Sequence, residues 1–272
     1  AESNMISAAA GFSNIGYIPV VDTFAQFGVT KGALPLTMAS LSQSPMICIF
    51  SHTGFQDAAD GASHQALSYL AMTSSIPHVD VYCLSCSDEA EQLVFQAIQE
   101  FAQARNSGKI PHSKVFFLGR ENFPQTYNSA NQFELQKSQV ILQALKAEKN
   151  VTIVASGSMV HQAVMAAEEL RTLGIGCTVI HPACHNKIDL KPIIDSLAKS
   201  NSRFITVEDH QAIGGLGQML AFDLAQAQIS VKLKALAVRG EFGQSAYSAQ
   251  ELYAHHKIDA KEIVQAAREL WG

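Results

Sequence analysis

Two histidines and two aspartates lie close together in the segment SHTGFQDAADGASHQAL, residues 51–67. His52 and Asp60 follow a short apolar run, and His64 comes four residues after Asp60. Parallel sheets bind ligands at the carboxyl ends of their strands, which is where these side chains are expected. Imidazole can donate and accept hydrogen bonds, and a carboxylate accepts them. We interpret the segment as a binding site for a polar, hydroxylated ligand.

A purely structural interpretation of the same segment stays open. Asp60 or Ser63 could cap the helix that follows, and both histidines could be ordinary polar residues of a loop. We expect Ser63 to act as such a cap, with His64 near the start of that helix. Capping gives no reason for two histidines and Asp60 to converge on one loop.

Four further residues could take part in chemistry, and each has a plain structural alternative. Arg120, in FFLGRENFPQ, follows an apolar strand and could bind an anion with two hydrogen bonds, or form a salt bridge on a loop. Phe24 and Phe27 stand three residues apart just after a strand, a spacing that usually belongs to a core. Glu2 lies in the first turn of a predicted helix, where an acidic residue interacts favourably with the helix dipole.

Two patterns resemble metal or redox motifs. Cys83 and Cys86 form a single C-x-x-C, which cannot complete a tetrahedral zinc site by itself. A redox pair of this spacing should open a helix, whereas Cys83 ends a predicted strand. The run HPACH, His181–His185, is predicted to lie in a loop and has no carboxylate nearby in sequence. We predict no metal ligands in this chain and leave a redox role for the two cysteines open.

Strand patterns alternate with helical patterns along nearly the whole chain, which predicts an α/β fold. We expect two domains, each a mostly parallel sheet flanked by helices. The predicted strands are Tyr17–Val21, Met46–Phe50, Val79–Cys83, Lys114–Leu118, Val151–Ala155, Gly176–Ile180, Arg203–Val207 and Lys232–Val238. The predicted helices include Glu2–Asn14, Glu89–Arg105, Met159–Leu173 and Leu216–Gln226. The polar stretch YNSANQFELQKS predicts a linker over 128–137, between domains at 1–127 and 138–272.

Composition excludes some partners and favours one compartment. The net charge is −5 and no basic run is present, which argues against nucleic acid. No apolar run approaches the ~20 residues of a membrane span, and the start has no signal-peptide pattern. Five cysteines, an odd number, favour a reducing, cytoplasmic setting. Because the chain begins abruptly with a small-residue helix, we expect upstream residues to be missing.

Taken in order, these segments resemble the transketolase family. The resemblance rests on AESNMISAAAGFSNIGYIPVVDTFAQF, SHTGFQDAADGASHQAL, FFLGRENFPQ, VTIVASGSMVHQAV and FITVEDHQAIGGLGQML. It covers nearly the whole chain and implies a pyrimidine-binding domain followed by a C-terminal domain. It therefore implies the C-terminal subunit of a split transketolase, which transfers a two-carbon ketol unit between sugar phosphates.

The resemblance also implies the remaining components. The cofactor would be thiamine diphosphate with Mg²⁺ or Ca²⁺, whose ligands are expected on a partner subunit that carries the diphosphate-binding domain. The expected assembly is a heterotetramer of the two subunits.

Each candidate residue receives a role from the resemblance. Glu2 matches the catalytic glutamate that hydrogen-bonds N1′ of the cofactor's aminopyrimidine, and Phe24 and Phe27 match the pocket around that ring. Asp60 and His64 match residues that contact the first hydroxyls of the sugar, and His64 is also expected to be catalytic. His52 and Arg120 match the contacts to the phosphate end of the substrate.

Three positions depart from the family pattern, and two other readings stay open. Ala59 replaces a glutamate, Ser74 replaces an arginine, and an aromatic residue is missing around Thr30. These departures leave the acceptor sugar open. A deoxyxylulose-phosphate synthase or the β subunit of a 2-oxo acid dehydrogenase has the same architecture. A non-catalytic interaction subunit, which keeps the fold and loses the chemistry, is the alternative of another class.

Overall fold

A computed structural model describes residues 1–121, 124–127, 132–146 and 148–272. The described residues form two α/β units, each built on its own sheet, which confirms the predicted fold class. The first unit contains α1 (Glu2–Asn14), β1 (Val20–Phe24), α2 (Ala25–Leu41), β2 (Ile47–Ser51), α3 (Tyr69–Thr73), β3 (Val79–Cys83), α4 (Ser87–Asn106) and β4 (Ser113–Phe117). The second contains β5 (Ser138–Ala144), β6 (Asn150–Ala155), α5 (Met159–Thr172), β7 (Gly176–Pro182), α6 (Lys191–Lys199), β8 (Arg203–Gln211), α7 (Leu216–Gln226), β9 (Lys232–Val238), α8 (Ala249–His255) and α9 (Ala260–Trp271).

The first sheet is entirely parallel, with strand order β1-β2-β4-β3. Every residue of β3 and of β4 is buried, as expected for parallel strands covered by helices on both faces. β1 begins at Val20, whereas the sequence pattern predicts that it begins at Tyr17. The amide of Tyr17 still donates to the carbonyl of Phe12 at the end of α1, and Pro19 has no amide hydrogen for the ladder.

The second sheet has strand order β5-β7-β6-β8-β9. β5 runs antiparallel to β7, and the other pairs are parallel. The sequence patterns did not predict β5, which begins at the end of the proposed linker. Residues 128–131 of that linker lie outside the described residues. Its later part packs on α4, since the amide of Phe133 donates to Gln92 Oε1 at 2.9 Å.

The two units share a hydrophobic core. One cluster of buried side chains includes Tyr82 and Phe116 of the first sheet together with Ile153 and Val179 of the second. Buried polar contacts also cross the junction, such as the 2.8 Å hydrogen bond from Gln56 Nε2 to the Tyr253 hydroxyl. The segment after β2 is therefore held between both units. Among the described helices, none has the length and apolar character needed to cross a membrane.

Candidate functional site

The ends of β1 and β2 bring the first two candidate residues together. Phe24 and Ser51 are register partners at the carboxyl edge of the parallel sheet. His52 follows directly and has a left-handed backbone, with φ of 60°, which turns the chain away from the strand. Its imidazole stacks on Phe24, with ring centroids 3.8 Å apart and an interplanar angle of 23°.

Phe27 and His64 complete a group of four rings, which we call the aromatic cluster: Phe24, Phe27, His52 and His64. Phe27 lies in the first turn of α2, and its ring centroid is 6.2 Å from that of Phe24, with the planes inclined by 22°. The His64 ring meets the Phe27 ring edge-on at 5.1 Å. All four side chains are partly exposed. Part of each ring is therefore accessible to a ligand, although Phe24 and His52 cover one face of each other.

Charged groups surround His52 at this edge. Burial lowers the pKa of His52, and the charges of Arg120 and His64 act in the same direction. Asp57 and Asp60 oppose the shift. The neutral imidazole is therefore favoured at neutral pH, and its Nδ1 lies 2.8 Å from the Ser51 hydroxyl.

Arg120 forms an ion pair inside the site. Its Nη1 donates to Asp57 Oδ1 at 2.8 Å, with the guanidinium side chain half exposed and Asp57 fully buried. Asp57 Oδ2 has no hydrogen-bond partner among the residues that the structure describes. Both sequence interpretations of Arg120 therefore apply, since it makes a salt bridge and still presents part of its guanidinium to solvent. Sequence reasoning assigned no role to Asp57, although it lies only five residues after His52.

Asp60 lies near His52, and Glu2 lies on the helix that packs against α2. Asp60 is exposed and close enough for its charge to influence His52. The first turn of α1 packs on α2, where the Ser3 hydroxyl donates to the carbonyl of Lys31 at 2.6 Å. Lys31 is one helical turn after Phe27. A hydrogen bond from its own backbone lowers the pKa of Glu2, so the carboxylate is ionised. Among the described residues, no hydrogen bond or ion pair joins the Glu2 carboxylate to the aromatic cluster.

The helix expected directly after the segment begins later than predicted. α3 begins at Tyr69, and its N-cap residue Ser68 makes no capping hydrogen bond. His210 Nε2 instead accepts from the amides of Leu70 and Ala71 in the first turn, at 3.1 and 3.3 Å. The prediction that Ser63 caps this helix was therefore wrong, and His64 lies in a turn well before it. The Ser63 hydroxyl instead lies 3.0 Å from His64 Nδ1. The small residues between Asp60 and Ser63 favour turns over a helix.

The two metal-like or redox-like patterns are buried. All five cysteines are free and buried, and burial raises the pKa of Cys86 to about 11 and that of Cys83 well above its usual value. Thiolate chemistry is therefore disfavoured at both positions. The sequence predicts His181 in a loop, but it lies in β7. Its Nε2 is 3.0 Å from Glu89 Oε1 of α4. This contact joins the two units across the junction.

Comparisons with known proteins assign a family to both units. A profile described as the transketolase pyrimidine binding domain matches residues 1–107, and one described as the transketolase C-terminal domain matches residues 142–263. Mouse transketolase-like protein 2 is 31% identical across 99% of this chain, and so is human transketolase. The chain spans 40% and 41% of these relatives' lengths.

Solved structures have the same fold. A split gene transketolase, described as an inactive beta4 tetramer, superposes with a TM-score of 0.76 at 27% identity, over 99% of this chain and 82% of that one. A transketolase from Leishmania mexicana superposes with the same TM-score at 24% identity, over 99% of this chain and 36% of that one.

Proposed function

The chain belongs to the transketolase family, and we propose that it supplies the pyrimidine pocket and sugar channel of a split transketolase. In a complex with a partner subunit, it would transfer a two-carbon ketol unit between sugar phosphates. One observation carries the proposal: four partly exposed rings and the Asp57–Arg120 pair converge on the carboxyl edge of one parallel sheet. Such an edge is where open α/β sheets bind ligands.

The aromatic cluster fits the aminopyrimidine of thiamine diphosphate. Phe24 and Phe27 offer two nearly parallel, partly exposed faces, and aromatic faces stack well on planar rings. When bound, this cofactor supplies the nucleophilic carbon that protein side chains lack. Phe24 and Phe27 would hold the ring and exclude water from it.

Glu2 would act as a hydrogen-bond acceptor for the pyrimidine. Its lowered pKa keeps the carboxylate ionised at neutral pH, which is the form that accepts a hydrogen bond from a ring nitrogen when that nitrogen carries a proton. The first turn of α1 packs beside Lys31, which is one helical turn beyond Phe27 in α2. We propose that Glu2 turns toward the ring when cofactor and partner subunit are bound.

Arg120 and His52 would bind the phosphate end of the sugar. A half-exposed guanidinium paired with one carboxylate oxygen retains donors for a phosphate, and charge-assisted hydrogen bonds of this kind are strong. Asp57 holds Arg120 in place and partly neutralises it before substrate binds. Asp60 and His64 would bind the first hydroxyls of the sugar, with His64 able to donate or accept a proton there.

The partner subunit is proposed to carry the diphosphate-binding domain and the ligands of Mg²⁺ or Ca²⁺. The curated relatives are more than twice as long as the aligned region, which leaves room for that domain in their chains. We propose a heterotetramer of two copies of each subunit. This chain without its partner is expected to be inactive, as is stated of the beta4 tetramer with the similar fold.

Donor choice tests the proposal against its relatives. This chain is mixed with a protein that carries the diphosphate-binding domain, thiamine diphosphate and Mg²⁺, and offered either xylulose phosphate or pyruvate with an aldose acceptor. Ketol transfer from xylulose phosphate supports a transketolase. Product formed with pyruvate as donor, and none with xylulose phosphate, would instead support a synthase or dehydrogenase. A stable complex that binds cofactor and forms neither product would support a non-catalytic subunit.

A further inference from the structure

A cluster of nitrogen and oxygen ligands lies outside the candidate site, where the segment after β9 meets the end of α8. The side chains of Glu241, His255 and His256 each offer one ligand atom, and these atoms all lie within 4.8 Å of one another. His255 is the last residue of α8 and His256 is its C-cap. The C-terminal end of a helix is also the favourable end for a bound cation.

The hydrogen bonds of His256 leave one of its nitrogens facing a carboxylate. Its Nε2 lies 3.2 Å from Gln244 Oε1, which can only accept, so Nε2 carries the hydrogen. In the neutral ring Nδ1 then has a lone pair, and it lies 3.5 Å from Glu241 Oε2. Two acceptors at this distance repel each other unless a proton or a cation lies between them. A cation fits better than a proton, because His255 offers a third ligand atom, and the ligand atoms of the three residues lie within 4.8 Å of one another.

His256 is held in position, and the other two residues can adjust to a metal ion. The His256 side chain is only 3% exposed and stacks on Phe55 at 4.6 Å. His255 and Glu241 are exposed, so rotation about their side-chain bonds can bring the ligand atoms to the ~2.0–2.2 Å that zinc requires. Zinc favours imidazole and carboxylate ligands, with water completing four-coordination.

Glu241, His255 and His256 line a surface pocket that other charged residues also border. Arg239, Lys257 and Glu262 border it. The Arg239 guanidinium donates to the carbonyl of Ala235 at 3.0 Å, which draws its charge toward the backbone. Glu262 adds a negative charge that offsets Lys257.

We propose that Glu241, His255 and His256 bind a divalent transition metal, with Zn²⁺ as the best fit to the ligand set. The site is independent of the proposed ketol transfer. It would fasten the segment after β9 over the loop that contains the candidate substrate residues. Two hydrogen bonds already join these parts: the amide of Ala246 donates to the carbonyl of Ala58 at 3.0 Å, and Gln65 Nε2 donates to the carbonyl of Gln244 at 2.9 Å.

The test is a zinc titration of the tag-free, metal-stripped full chain at neutral pH against a chromophoric chelator. Substituting a residue that only hydrogen-bonds to a metal ligand already lowers metal affinity by about 10–100-fold. His255→Ala and Glu241→Gln should therefore each weaken binding by at least about tenfold. Both change exposed side chains, so circular dichroism should show an unchanged fold. The matched control is Glu251→Gln, also exposed and on α8, which should bind zinc as the wild type does.

Two further readouts separate this site from incidental binding. Co²⁺ should give the visible absorption bands of a four-coordinate ion in the wild type and lose them in Glu241→Gln. Zn²⁺ should raise the thermal midpoint of the wild type and of the control, but not that of the His255→Ala and Glu241→Gln double variant. Zinc binding that both single variants leave unchanged, or no binding by the wild type, would overturn the proposal.

Discussion

Replacing the buried carboxylate of Asp209 should change how stability depends on pH. Asp209 lies near the end of β8, between the two units. Its Oδ2 accepts from the Ser158 hydroxyl at 3.0 Å, and its Oδ1 accepts from the Tyr69 hydroxyl at 3.5 Å. Burial is the largest influence and raises its pKa from 3.8 to about 7, although the hydrogen bonds oppose the shift. A carboxyl group with such a pKa binds its proton far more tightly in the folded chain than in the unfolded one.

The direction of the effect follows from proton linkage. Between pH 4 and 7 the folded chain holds a proton on Asp209 that the unfolded chain has lost, so the free energy of unfolding falls as pH rises. The stabilisation is complete below the unfolded pKa and lost above the folded one. At about 1.4 kcal/mol for each pKa unit, the whole window amounts to about 4 kcal/mol, and the part between pH 5 and 8 to about 3 kcal/mol.

The assay is urea unfolding of the wild type and of Asp209→Asn at pH 5 and at pH 8. The loss of stability between these pH values should be smaller in the variant by about 3 kcal/mol. Glu208, also buried with its pKa raised to about 8, adds a decrease in both proteins, and removing the Asp209 charge lessens that decrease in the variant, which is a change in the same direction. Asp22→Asn, at an exposed position of β1, is the control and should keep the wild-type pH dependence. Equal pH dependence in Asp209→Asn and the wild type would refute the reasoning.

Three further changes test the site and its support. In the reconstituted complex, Arg120→Lys should raise the KM for a phosphorylated ketose by about 10–100-fold and leave an unphosphorylated donor nearly unchanged, since a hydrogen bond to a charged group contributes about 1.5–3 kcal/mol. Equal losses with both donors would contradict a phosphate contact. Phe27→Ala should weaken equilibrium binding of thiamine diphosphate to the complex by about tenfold through lost stacking. An unchanged Kd would remove Phe27 from the pocket. Gly54→Ala should lower the free energy of unfolding by at least about 1–3 kcal/mol, because φ is +63° and the added methyl group would collide with the Asp209 carboxylate. The measurement is chemical denaturation. The control is Gly11→Ala, because a methyl group added at Gly11 has no neighbouring atom within 4 Å. Equal stability of the two variants would contradict the expectation.

Two strands have the predicted bounds, whereas β5, at one edge of the second sheet, was not predicted. Val79–Cys83 and Lys232–Val238 have the bounds that the sequence pattern predicts. β5, Ser138–Ala144, is only partly buried and pairs antiparallel at the edge of its sheet. Its apolar run is only the three residues Val140–Leu142, and polar residues flank it on both sides. Its strand character comes from pairing with β7, a contact between distant parts of the chain.

Site geometry was predictable only where the rules of parallel sheets apply. Phe24 and His52 meet because β1 and β2 pair, with Phe24 opposite Ser51, the residue before His52. The Asp57–Arg120 pair joins residues 63 positions apart, and the His181–Glu89 contact joins residues 92 apart. No local pattern indicates such pairs, because the tertiary fold alone brings them together.

The most direct measurement of the central claim is ketol transfer by this chain with and without a subunit that carries the diphosphate-binding domain, in the presence of thiamine diphosphate and Mg²⁺. Activity is expected only in the mixture. Glu2→Gln should form the same complex and lose turnover, because a neutral amide cannot replace the carboxylate as an acceptor for a ring proton. Transfer activity of this chain alone, or full activity of the mixture with Glu2→Gln, would contradict the proposed split transketolase.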